Sequence, residues 1–163
     1  MKNSALKTFL LMIAVLSLTS INYSCSSDGE DGVESCSLDG PNFSISDVAG
    51  SWTATTATFS ILNNPNNRDI IAEGGSVSLS VQGSGRFSLT IMEGDGTTQN
   101  FSGNLGFCDD GFNVAYDDAP DDPEIYTTSF NGTEFTLLGD TEFDVDADGT
   151  EDAAIVRLIF VRN

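Results

Sequence analysis

The 163-residue chain has no histidine, and its two lysines, Lys2 and Lys7, both lie within the first seven residues. Beyond them four arginines face 25 aspartates and glutamates, and the whole chain carries a net charge of −19. Histidine is the commonest general base and the commonest transition-metal ligand, so its absence excludes Ser-His-Asp and Cys-His catalysis. The scarcity of cations argues against nucleic acid as a partner, because affinity for a phosphate backbone comes from Lys and Arg displacing counterions. Carboxylate-only chemistry, such as glycoside hydrolysis by paired acids, survives on composition alone. Nothing else in the sequence points to it, and the expectation is a protein that is not an enzyme.

A long apolar run is also missing. Residues 9–18 are apolar except for Ser17, and fall short of the ~20 residues that span hydrocarbon. Preceded by two lysines and followed by small polar residues up to Ser24, they read as an export signal over residues 1–24. Cys25 then opens the sequence Cys-Ser-Ser-Asp and an acidic, glycine-containing stretch. This resembles the start of exported Gram-negative lipoproteins, although their usual aliphatic residue three places before the cysteine is Asn22 here. The resemblance implies that Cys25 carries lipid and that the protein sits at the outer membrane. The acid-rich stretch after the cysteine further implies display at the cell surface. Residues 25–45, rich in Ser, Gly, Asp and Glu, are expected to be a flexible tether.

Cysteine is scarce as well. With Cys25 acylated, Cys36 and Cys108 remain, an even pair in an oxidising compartment. They form a bridge stapling the tether's end to the domain, or stay as two free thiols, since sequence alone does not fix pairing.

From residue 46 onward helical spacing is absent and alternation takes its place. Val77, Leu79 and Val81 share one face, then Phe87, Leu89 and Ile91, then Phe101, Gly103, Leu105 and Phe107, then Phe112, Val114 and Tyr116. Gly- and Asp-rich tetrads separate these runs, the pattern of consecutive antiparallel hairpins. Further strands are expected at 51–62, near 70–72, and at 125–130, 133–138, 141–146 and 154–162. Asn131-Gly132 reads as a two-residue type I′ turn. The fold class is therefore all-β: an antiparallel up-and-down meander of eight or nine strands, closed into a barrel because closure removes both edges. A two-sheet β-sandwich is the alternative if residues 63–76 form a crossover.

Val48-Ala49-Gly50-Ser51-Trp52 contains the Gly-x-Trp that opens the first strand of lipocalins. The stretch 46–163 resembles the lipocalin-like domains of bacterial lipoproteins. In that family the Trp closes one barrel end under an Arg of the last strand. Arg162 shares a face with Val156, Leu158 and Phe160 and would lie beside Trp52 in a closed meander, where a guanidinium over an indole contributes about 0.5–2 kcal/mol. The resemblance implies binding of a small apolar ligand inside the barrel. Eight strands enclose either a packed core or one small ligand, and the eleven phenylalanines suit both.

Two acidic motifs stand out. Asp144, Asp146, Asp148, Gly149, Glu151 and Asp152 match the first half of a calcium-binding loop, with oxygen ligands at alternate positions for Ca²⁺. The twelfth position is Ile155, where a bidentate Glu is needed, and a plain hairpin turn with outward acids accounts for the same residues. The segment 117–124, with four aspartates, one glutamate and two prolines, reads as a stiff rim loop. Two functions follow as expectations: a lipid-anchored binder of a small apolar ligand, or a surface interaction and uptake-assembly module with a filled barrel, meeting a protein partner through its acidic loops.

Overall fold

The computed structural model describes residues 36–62, 67–109 and 111–163. Cys25 and the export signal lie outside the described residues. Among the described residues there are nine strands, most of them runs in which apolar residues alternate: β1 (Gly50–Ile61), β2 (Asn67–Asp69), β3 (Ser76–Val81), β4 (Arg86–Met92), β5 (Thr98–Cys108), β6 (Gly111–Tyr116), β7 (Ala119–Phe130), β8 (Glu134–Phe143) and β9 (Asp152–Arg162). One four-residue helix, α1 (Ile45–Val48), precedes them.

Neighbouring strands pair antiparallel in chain order from β3 to β9, and β1 pairs with both β3 and β9. The sheet is thus a closed barrel of eight strands with β2 as an extra strand. Closure follows one long ladder, from Trp52 opposite Arg162 to Ile61 opposite Ala154, with a single shift of register between Ala54 and Thr56. The sandwich alternative fails because β1 reaches β3 without a crossover. Residues 67–69 fold back on β1 as β2, and β3 then pairs with the N-terminal part of β1.

Inward residues of the eight barrel strands make one core that includes Trp52, Val77, Phe87, Leu105, Phe135 and Phe160. Burying a large apolar side chain of this kind contributes about 1.5–3 kcal/mol each.

Several local expectations are corrected. Residues 36–45, assigned to the tether, belong to the folded unit: Ser37 bridges to Phe107, Phe43 is buried, and Ile45 is fully enclosed. The strand expected at 70–72 lies earlier, at Asn67–Asp69, because the Asp69 carboxylate accepts the N–H groups of Ile71 and Ala72 and turns the chain there. Strands expected at 133–138 and 141–146 are one strand, β8. Gly139 lies within it, where a Cβ would come within 2.8 Å of the Ile125 carbonyl and the Tyr126 ring.

The rim loop at 117–124 is largely the start of β7. Val114 pairs with Glu124 and Tyr116 with Ala119, so residues 120–123 bulge out of the ladder and both prolines escape its demand for N–H donors. The turn after β7 spans three residues, 131–133, and is not type I′. Only Gly132 has positive φ there, while the Asn131 side chain accepts the N–H groups of Thr133 and Glu134.

Candidate functional site

The two ends of the barrel differ. At the end holding the start of β1 and the finish of β9, helix α1 lies across the opening with Ile45 and Val48 fully buried. Trp52 is also fully buried, and its indole N–H donates to the Val48 carbonyl at 2.8 Å. The Arg162 guanidinium sits 4.4 Å from the Trp52 ring centroid and donates to the carbonyls of Ala49 (2.7 Å) and Asp47 (2.6 Å). One cation thereby covers the ring and satisfies two carbonyls at the helix end. Gly50 has φ +138°, and a Cβ there would approach an Arg162 nitrogen to 2.9 Å.

Phe43 fills the space below, with ring centroids 5.2 Å from Phe107 and 5.8 Å from Phe135. Cys36 and Cys108 are joined by a disulfide, Cα to Cα 4.4 Å, which fastens this segment to the end of β5. This end is plugged.

The opposite end opens into a cavity of about 310 Å³ within the barrel. Its walls are mainly apolar, with Leu79, Leu89, Phe101, Val114 and Leu137 among them, and Phe135 and Phe160 also line it. One polar cluster interrupts the wall. Glu124 accepts through Oε2 from the hydroxyls of Tyr116 (3.0 Å) and Tyr126, and through Oε1 from the Thr141 hydroxyl at 3.0 Å. Burial, reinforced by the Glu124 charge, holds the Tyr116 hydroxyl far above the ordinary tyrosine range. Burial does the same at Tyr126, with Tyr116 and Glu124 adding to it. Both phenols therefore remain protonated donors, and an inward tyrosine finds the partner it needs.

At the rim Asp118, Glu142, Asp144 and Glu151 add carboxylates. Arg68 of β2 braces one side: it binds Glu73 at 2.9 Å, Glu93 at 2.5 Å and the Asp144 carbonyl at 3.2 Å, and lies 5.7 Å from the Phe143 ring centroid. Gln99 donates to the second oxygen of Glu93 at 3.2 Å.

The Asp-rich motif forms the turn between β8 and β9. Carboxylate oxygens of Asp144, Asp146 and Asp152 lie within 4.8 Å of one another, whereas Asp148 and Glu151 fall outside that group. Backbone donors occupy several of these acids: Asp144 accepts from the N–H groups of Asp148 and Gly149, and Asp148 from that of Thr150. Ala147 and Gly149 both take positive φ to close the turn. Ile155, at the twelfth position of the motif, lies in β9.

Sequence reasoning missed the Glu124 cluster and the Arg68 brace. Tyr116 was visible as an inward residue in the alternation of β6, and its hydroxyl was the available signal that a buried partner must exist. Glu124 carried no such signal, being one acid in an acidic run. The chain matches no family model, no curated protein and no solved structure.

Proposed function

We propose that the protein is a lipid-anchored, non-catalytic binding protein that takes a small apolar ligand into its barrel. The carrying observation is the cavity of about 310 Å³, walled by Leu, Phe and Val and open at one end. That volume falls at the lower end of the roughly 300–1,000 Å³ typical of small-molecule sites. It also weighs against a filled barrel that works only through its loops. A lipocalin-like identity draws support from the eight-stranded meander order and from Trp52 lying under Arg162 of the last strand. Anchoring through Cys25 and display at the outer membrane surface rest on the N-terminal sequence.

The binding test is titration of the purified protein with the neutral apolar fluorophore N-phenyl-1-naphthylamine. Saturable enhancement at about one site per chain is expected. Absence of enhancement, or enhancement that persists when Leu89→Trp fills the cavity, refutes the reading. Intact mass of the cell-derived protein tests the anchor separately, since an unmodified Cys25 removes it.

A further inference from the structure

Resting on the reading of the barrel as an apolar binding site, the geometry points to a cationic ligand: an amine on an apolar body of about one or two rings, its ammonium turned toward the open end. The walls select the body, and the charged groups select the head. Every charged side chain lining the cavity is acidic, namely Asp118, Glu124, Glu142, Asp144 and Glu151.

The four arginines are engaged or directed elsewhere. Arg68 is held by Glu73 and Glu93, Arg86 by Asp117, and Arg162 at the plugged end, while Arg157 projects outward from β9. Among the described residues no side-chain cation lines the site. A ligand carboxylate entering this mouth would meet like charge from the lining acids, the nearby Arg68 being already paired with Glu73 and Glu93, in a concave site whose apolar walls weaken solvent screening. An ammonium meets attraction along the whole path.

Glu124 supplies the inner contact. Its Oε2 accepts two tyrosine hydroxyls, while its Oε1 accepts the Thr141 hydroxyl. A carboxylate oxygen takes about two donors, so Oε1 has room for one ammonium N–H. The three hydroxyls fix the carboxylate's orientation in advance, and Phe101 and Tyr116, with ring centroids 5.9 Å apart, offer aromatic faces to the cation's substituents. The apolar cavity is the site; the acids determine which head group it accepts.

The test uses three compounds with one naphthalene body: 2-(2-naphthyl)ethylamine, 2-(2-naphthyl)ethanol and 2-naphthylacetate, each titrated calorimetrically into the purified full protein. The amine is expected to bind at least about tenfold tighter than the alcohol, and the carboxylate more weakly than either. Glu124→Gln is expected to weaken the amine about tenfold more than it weakens the alcohol. Should that variant fail to fold by circular dichroism, the exposed pair Glu142→Gln and Glu151→Gln replaces it. The pair is expected to give a smaller loss of amine affinity that fades toward about 0.5 M salt.

Equal affinities for all three compounds, or tightest binding of the carboxylate, overturn the cationic assignment and leave the apolar cavity standing. The assignment is likewise overturned if none of the three binds while N-phenyl-1-naphthylamine does. If that probe itself does not bind, the cavity reading falls and the cationic assignment with it.

Discussion

The plugged end and the open end are built from the same eight strands, yet they solve opposite problems. At the plugged end each polar group meets a matched partner: the Trp52 indole N–H meets the Val48 carbonyl, and Arg162 meets two further carbonyls. Aromatic rings fill the space beneath. At the open end the polar groups converge on one another, with three hydroxyls gathered on Glu124, and the space beside them is left unfilled. Stability is concentrated at one end and recognition at the other, so substitutions at the two ends should separate folding from binding.

The largest expected effect is at the plug. Trp52→Ala removes a fully buried indole together with its cation–π partner, and about 3–5 kcal/mol of stability should be lost. Urea denaturation followed by circular dichroism measures this, since Trp52 is the single tryptophan and fluorescence goes with it. Removing the disulfide by Cys36→Ala with Cys108→Ala should cost about 4 kcal/mol on the chain-entropy model for a separation of 72 residues. A loss under about 1 kcal/mol would mean that the Ser37–Phe107 bridge and Phe43 already fasten this segment without it.

At the open end the order of effects reverses. Leu89→Trp should abolish uptake of the apolar probe while changing stability by about 1–3 kcal/mol or less, because it adds volume to a void. Equal damage to folding and binding would break the division between the ends.

The tyrosines sharpen it further. Their folded-state values lie above the free value of 10.0, so the stabilisation they carry is fully present below pH 10 and is lost as the pH rises beyond it. Absorbance at 295 nm should therefore show Tyr116 and Tyr126 ionising only together with alkaline unfolding. Early ionisation of either would show that the Glu124 cluster is open to solvent.

The smallest effect lies on the exposed outer surface. Arg86 holds Asp117 in a two-pronged pair, assisted by the Ser102 hydroxyl, and these bonds lower the carboxyl from 3.8 to about 2. The pair's contribution is present above pH 3.8 and is lost as the pH falls toward 2. Acid titration of stability should be slightly flatter in Arg86→Ala over that window, and no change would assign the pair no stabilising role.

Legibility followed the physics of each element. Alternation exposed β3 and β4 because each has one face toward the core and a more open one, and it exposed β6 through Phe112, Val114 and Tyr116 even though Asn113 between them is also buried. The same signal failed at 119–123, where Ala119, Pro120, Asp121, Asp122 and Pro123 are all exposed and leave no period to read. The tether boundary was misplaced because residues 36–45 dock through a disulfide, Phe43 and Ile45 and lack any repeating pattern. Arg162 could be placed beside Trp52 once closure was assumed, since an antiparallel last strand ends where the first begins. Glu124 could not, because its partners Tyr116, Tyr126 and Thr141 come from three strands whose relative registers no local pattern states.

By itself the sequence determined that the chain is all-β, that it winds as a meander, and which residues of most strands face inward. Period-two patterning and turn chemistry are local and survive in a linear string. Only the tertiary structure decided that one end is plugged, that the other holds a cavity, and that a carboxylate stands in its wall. Those depend on how many strands close the circle and on the stagger between them, and a cavity is a difference between enclosed space and side-chain volume that no single residue encodes.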